Sequence, residues 1–311
     1  MLVTGGAGFI GSNLAKRLVD NGNEVVVIDD LSSGNKNNVP DKAKFIQCDI
    51  QDKEHVEQII KKSGVNIIVH LAAHRSVAKS VIEPLITDRV NTFGTLVILE
   101  TARNCGVEKV ISASSSSVYG GAKILPTPES TPLNPRSPYA VTKVAGEQYS
   151  RIYSELYKIC SVSLRFFNVY GPFQSPDSPY AAVIPLFIDA LLKGEPAQVH
   201  GNGLQSRDFT YISDVVDAII ALIEAPTDSC SGKVYNIAGG KPWSLLELLD
   251  LLGNLLGINP KYEFTSPRAG DILHSYADVS LAYNDFGFKT KIDFKEGLRK
   301  TIIWMKNSQL P

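Results

Sequence analysis

The chain has no apolar run long enough to cross a bilayer. Its longest, such as 25–28 and 218–223, fall far short of the roughly 20 residues a spanning helix needs. It also has no excess of either charge, with 31 Lys and Arg against 32 Asp and Glu in 311 residues. Nothing global therefore steers it toward nucleic acid or an anionic membrane, and a negatively charged ligand has to be held by local features. Cysteine is scarce and scattered. Cys48, Cys105, Cys160 and Cys230 form no CxxC pair, and the five histidines show no ligand spacing. That argues against a disulfide framework or a metal site and for reduced thiols in the cytoplasm. The N-terminus lacks a basic segment, an apolar stretch and a cleavage site, so secretion is not expected.

What is present is a regular alternation. Short β-branched runs at 1–4, 24–28, 44–47, 66–70, 109–113 and 160–166 are separated by amphipathic stretches at 9–21, 53–63, 85–105 and 139–157. Strand, helix, strand in this rhythm predicts an α/β protein built on a doubly wound parallel Rossmann sheet. After about Phe166 glycine and proline become denser and the alternation ends. The expected organisation is a sheet domain over 1–166 and a smaller, mainly substrate-binding lobe over 167–311, with 234–237 returning to the sheet. The proline-rich stretch 124–138 is expected to be one long surface loop.

Three motifs carry chemistry. Gly5-Gly6-Ala7-Gly8-Phe9-Ile10-Gly11 lies between the first strand and the first helix. Glycines there permit a tight turn and close approach of the backbone to a pyrophosphate, which the helix N-terminus attracts. Asp29, with Asp30 beside it, ends the second strand, where a carboxylate accepts hydrogen bonds from an adenosine ribose and repels a 2′-phosphate. The following Leu31-Ser32-Ser33 offers no arginine, so NAD is favoured over NADP. A bland turn at Asp29 is the alternative.

Tyr139-Ala140-Val141-Thr142-Lys143 is the second motif. On a helix, Tyr139 and Lys143 share a face one turn apart. A free phenol ionises near pH ~10, and a nearby ammonium together with a cationic nicotinamide favours the phenolate. The third is Ser114-Ser115-Ser116-Ser117, expected to follow the fifth strand directly and so to border the ligand crevice of a doubly wound sheet.

TGGAGFIGS, SSSSVYG, SPYAVTK and RFFNVYGP, in this order, resemble the extended short-chain dehydrogenases/reductases and, more narrowly, the nucleotide-sugar 4-epimerases. The likeness runs through Arg207-Asp208-Phe209 and Pro267-Arg268-Ala269-Gly270-Asp271, although the chain starts about two residues late, leaving a short first strand. It implies tightly bound NAD and a UDP-sugar substrate. It assigns Ser115, Tyr139 and Lys143 to catalysis, and Asp49, Ile50, Leu71, Ala72, Ala73, Arg75 and Asn91 to the cofactor. Substrate contacts fall on Ser76, Ser117, Asn168, Arg207, Arg268 and Asp271. Family dehydratases carry Asp-Glu after the catalytic serine, where this chain has Ser116-Ser117.

The residue that gates the hexose pocket corresponds to Ser275, with Tyr276 next to it. A small side chain there leaves room for a 2-N-acetyl group. The expected activity is thus C4 epimerisation of UDP-GlcNAc and UDP-GalNAc, with UDP-Glc and UDP-Gal also accepted, in a homodimer paired through helices 85–105 and 139–157. The rival readings are a UDP-glucuronate 4-epimerase, a net reductase and a non-catalytic NAD sensor.

Overall fold

The computed structural model describes residues 1–176, 181–267 and 272–308. In its first half β1 (Leu2–Thr4), α1 (Phe9–Asp20), β2 (Val26–Asp29), β3 (Lys44–Gln47), α2 (Lys53–Ser63) and β4 (Ile67–His70) follow one another. Next come α3 (Val77–Ile82), α4 (Pro84–Asp88), α5 (Gly94–Cys105), β5 (Lys109–Ser115), α6 (Pro138–Tyr157) and β6 (Cys160–Phe166). The second half contains β7 (Val169–Tyr170), α7 (Val183–Lys193), β8 (Ala197–His200), β9 (Ser206–Asp208), β10 (Thr210–Tyr211), α8 (Ile212–Glu224), α9 (Thr227–Cys230) and β11 (Val234–Ile237). It closes with β12 (Pro242–Ser244), α10 (Leu245–Leu256), β13 (Tyr262–Thr265), β14 (His274–Ser275), α11 (Ser280–Phe286) and α12 (Phe294–Ser308).

Seven strands form one parallel sheet in the order β11-β6-β5-β4-β1-β2-β3. Strand order reverses between β1 and β4, so the helices cover both faces and a crevice opens above the carboxyl ends there. The residues explain the placement. Every residue of β1 and β6 is buried, whereas β3, at one edge, is exposed at both ends, Lys44 and Gln47, and half-buried between them. At the other edge β11 pairs with β6, Val234 opposite Ser163 and Ile237 opposite Phe166. Beyond the sheet, β9 is flanked by antiparallel β12 and parallel β14, and this small ribbon sits near the crevice.

Three expectations change. The stretch 85–105 is not one α-helix: a π-helical turn, Arg89–Phe93, separates α4 from α5. The wider turn accompanies an inward Asn91, whose amide bonds both the N–H and the C=O of His74 and also donates to Thr142 Oγ1. The fifth strand runs on through Ser115, because its ladder with β6 continues to Ser115 opposite Phe166; Ser114 and Ser115 lie inside the strand rather than after it. The loop 124–138 is not simply surface. Thr127 is buried, its N–H donates to the Tyr276 carbonyl at 2.8 Å, and its carbonyl accepts from Asp278 N and Asn236 Nδ2. The segment is a strap across the sheet edge whose backbone groups find partners inside.

Candidate active site

The glycine turn is shaped by contacts that exclude side chains. Gly5 has φ +68°, and a methyl group on it would lie 2.7 Å from the Ala72 amide nitrogen. One on Gly11 would collide with the Gly5 carbonyl oxygen, so α1 packs against the turn only without a side chain. Gly8 caps α1 with no side-chain bond and no acidic residue in the first turn, leaving the helix end positive. Phe9 turns into the core while Ile10 is half-buried.

Asp29 is buried at the end of β2, accepting Ala7 N at 3.0 Å on one oxygen and Leu31 N at 2.9 Å on the other. Burial raises its carboxyl above the ordinary value, against those two amide bonds. Each oxygen keeps a second lone pair, which suits a ribose diol. Gly34 closes over the same carboxylate, where an added methyl would sit 2.9 Å from Oδ1. Together this turn, helix end and carboxylate fit an NAD pyrophosphate and ribose.

The other cofactor candidates ring the same crevice. Thr4 Oγ1 accepts the amides of Leu71 and Ala72, both at 3.1 Å, and so fixes the chain after β4 through half-buried Ala73. Ile50 is buried against Gly94, Asp49 is exposed and accepts from Gln51, and the Asp30 carboxylate accepts from Ser32 N and Oγ. Arg75 is exposed, Asn91 is the His74–Thr142 clamp described above, and Ser76 Oγ caps α3 by accepting Lys79 N.

Ser115, Tyr139 and Lys143 converge where β5 meets α6. Ser115 Oγ accepts Ser117 N at 3.2 Å. Lys143 Nζ donates to the Ala113 carbonyl at 2.8 Å and lies 5.7 Å from the Tyr139 ring centre. Burial pushes the Tyr139 phenol up, opposed by a hydrogen bond with Ser115 and by the Arg75 charge. The expectation is that the Lys143 ammonium and a nicotinamide cation together favour the phenolate; in the chain by itself the tyrosine is so enclosed that loss of water dominates. Burial also pushes the Lys143 ammonium down to about 8, opposed by Glu147. His70 lies beneath, held between Thr4 Oγ1 and Thr95 Oγ1, and burial followed by the Lys143 charge drives it down to about 3.

A small cavity, reached by Ser116 but by none of Ser115, Tyr139 and Lys143, is lined also by Tyr119, Thr127, Phe167, His274 and Ser275, among others. Ser275 lines it and Tyr276 does not; Ser275 also stands opposite Arg207 in the β14–β9 ladder. Ser117 Oγ is buried and has no hydrogen-bond partner among the described residues. Asn168, at φ +34°, donates to the Asp208 carbonyl, and Arg207 Nη1 donates to the Ser206 carbonyl at 2.9 Å. Arg268 and Asp271 lie outside the described residues.

Several contributors went unread in the sequence: Thr4, Gly34, His70, Glu147 and Arg165. Glu147 had a readable signal, since it follows Tyr139 and Lys143 at the same four-residue interval. The rest act through partners distant in the chain.

A Rossmann sheet with a dinucleotide turn and a Ser-Tyr-Lys cluster at its carboxyl edge defines a class, the NAD-dependent enzymes of the extended short-chain dehydrogenase/reductase type. Within that class, a model of the NAD dependent epimerase/dehydratase family matches residues 1–238, and the chain belongs to this family. A putative UDP-glucose 4-epimerase from Methanocaldococcus jannaschii is 40% identical, with 99% of each chain covered. A UDP-N-acetylglucosamine 4-epimerase from Methanobrevibacter ruminantium, solved with UDP-N-acetylmuramic acid, superposes with TM-score 0.93 at 39% identity over 99% of this chain and 98% of its own. A UDP-glucose 4-epimerase from Thermus thermophilus, solved with NAD, gives 0.92 at 34% identity over 99% of each chain. A UDP-glucuronate 4-epimerase and dTDP-glucose 4,6-dehydratases are similar too. NAD is the cofactor of this enzyme.

Proposed function

We propose that the protein inverts C4 of a UDP-hexose through a transient 4-keto sugar, with UDP-GlcNAc and UDP-GalNAc as its main pair and UDP-Glc and UDP-Gal also accepted. The observation that carries this reading is that two hydroxyl residues, Ser116 and Ser117, follow Ser115 at the end of β5. Among the described residues no carboxylate lines the small cavity at Ser116. Glu147 is occupied by Arg165 and Ser114, and the Glu129 carboxylate accepts the Asn236 amide. Elimination across C5 and C6 needs an acid and a base at the sugar, and Ser116 and Ser117 supply neither. Epimerisation requires only the triad.

Bound NAD would supply the acceptor for the C4 hydride and the donor for its return. Tyr139 takes the 4-OH proton as phenolate and gives it back. Ser115 hydrogen-bonds the same oxygen and positions it. Lys143 holds the nicotinamide ribose and adds positive charge near the phenol. Arg207, Arg268 and Asn168 hold the pyrophosphate, for which the planar guanidinium fork is suited, and Asp271 takes the uridine ribose. The ketone then turns about its diphosphate link and presents the opposite face. On this reading 1–166 forms the NAD-binding domain and 167–311 mainly the substrate lobe.

Ser275 supports the N-acetylhexosamine assignment, because a hydroxymethyl group at the cavity wall leaves volume that a tyrosine would fill. Turnover of UDP-GlcNAc and UDP-Glc is to be measured side by side with no added cofactor. The wild-type protein should turn over both, and Ser275→Tyr should lose the N-acetyl activity by at least about a hundredfold while keeping the other. Equal loss of both would remove Ser275 as the gate. Turnover of neither sugar would favour the glucuronate.

The same reading includes a homodimer. Ile82, Leu85 and Ile86 on α3 and α4, with Leu156 on α6, are between 52% and 84% exposed, too many large apolar side chains on neighbouring helices for a solvated face. Two copies of this face would form a four-helix bundle.

A further inference from the structure

Tyr139, Lys143 and Glu147 follow one another at one-turn intervals along one face of α6. The first two act in the proposed chemistry, and the third does not. Glu147 is 3% exposed. Its Oε1 accepts from the Ser114 hydroxyl at 2.5 Å and from Arg165 Nε at 2.8 Å, and its Oε2 accepts from Arg165 Nη2 at 2.7 Å. Arg165, on β6, is 4% exposed, and its Nη1 donates to Tyr119 OH at 2.7 Å and to the Glu129 carbonyl at 3.1 Å. Tyr119 in turn donates to Asn236 Oδ1. Two charges withdrawn from water in this way are often no more stable than an apolar pair of the same volume, so stability alone is a weak reason for them.

Lys143 is the neighbour that gains. It is half-buried and donates to a neutral carbonyl, Ala113 O. The titratable groups around it are Tyr139 and Glu147 on its own helix and His70 from β4, with Arg165 on the far side of Glu147. His70 is buried and neutral, so it balances no charge. Among the described residues, Glu147, one turn further along the same face of α6, is the carboxylate whose charge favours the Lys143 ammonium. Through Ser114 it also grips the residue immediately before Ser115.

We propose that Glu147, clamped by Arg165, is a positioning residue: its carboxylate supplies the counter-charge that holds the Lys143 ammonium beside Tyr139, and its bond to Ser114 fixes the strand end that carries Ser115. The proposal rests on the reading that Tyr139 and Lys143 carry the proton chemistry. A bidentate guanidinium fixes the plane of the carboxylate, which turns a flexible acid into a rigid part of the site.

The test is the pH dependence of kcat for UDP-hexose turnover and, in parallel, of NAD affinity by calorimetry, each with the full chain. The wild-type protein is compared with Glu147→Gln/Arg165→Gln, which leaves no unpaired buried charge, and with Glu147→Asp, which keeps the charge. Losing the counter-charge makes Lys143 easier to deprotonate. In the double variant the alkaline limb of both profiles should move down by about one pH unit, and kcat at neutral pH should fall with little change in KM. Glu147→Asp should return the limb to its wild-type position. An unmoved limb in the double variant, or an equal shift in Glu147→Asp, overturns the proposal. Lys143→Met separates the two levels. If that variant is fully active, the catalytic reading and this proposal fall together; if it is inactive and the Glu147 limb does not move, this proposal falls alone.

Discussion

Tyr139 is the residue on which the proposed chemistry turns, and its surroundings set an unusual demand. Enclosure raises the phenol, while Ser115 and Arg75 pull the other way. The neutral phenol is a poor base, so a positive charge has to be near it when substrate is present, and Lys143 at 5.7 Å from the ring is placed to be that charge. Replacing Tyr139 with Phe should lower kcat by about a thousandfold, in the range general acid–base groups contribute. Ser115→Ala should cost less, because it removes a hydrogen bond and not the base. Steady-state rates with NAD content measured in parallel check both, and a Tyr139→Phe enzyme within tenfold of wild type would contradict the assignment. The proposed catalytic residues could be picked from the sequence because YxxxK and the serine run carry their spacing in the local chain. Glu147 continues that four-residue spacing, but its pairing with Arg165 is made across 18 positions by a helix and a strand, and no local pattern encodes it.

At the scale of elements, the short β9–β12–β14 ribbon holds a buried carboxylate. Asp208 on β9 is fully buried, accepts Gly240 N at 3.0 Å and Ala277 N at 3.2 Å, and is pushed up to about 7 by burial. The sign follows from linkage. Unfolded, the carboxyl ionises near pH 4, so between about pH 4 and 7 the unfolded chain releases a proton that the folded one keeps, and stability falls as pH rises through that window. The slope from this group is at most ~1.4 kcal/mol per pH unit. Denaturant melts across that range should show the decline, and Asp208→Asn should flatten it even if the variant is weaker overall. Elements with strict periodicity, α1, α2 and the six early strands, were readable to within two residues or so. The π-helical turn at Arg89–Phe93 was not, because what organises it is the Asn91 amide reaching His74 and Thr142 rather than any apolar spacing. The strap at 124–138 was misread for a related reason: its prolines and polar residues look like a solvated loop, yet its backbone is paired with 276–278 and with Asn236.

For the whole molecule, the sheet order places the switch point, the glycine turn and the Ser-Tyr-Lys cluster along one carboxyl edge, with the β9–β12–β14 ribbon beside it. Assembly is the remaining question at this scale. Leu85, 84% exposed, and Leu156, 66% exposed, lie on the face assigned to the partner copy. Leu85→Glu/Leu156→Glu should convert a dimer into a monomer in light scattering, with the monomer's circular dichroism unchanged; a wild-type monomer would end the bundle reading.

The central claim is inversion at C4 with hydride leaving and returning inside one active site. The most direct test is to incubate the purified protein with UDP-GlcNAc in deuterium oxide, with no cofactor added, and to follow the sugar protons by nuclear magnetic resonance. The account predicts UDP-GalNAc with its C4 and C5 protons intact, because the hydride never meets solvent and C5 is never touched. A 4-keto-6-deoxy product carrying deuterium at C5 would show elimination instead of epimerisation and would contradict it.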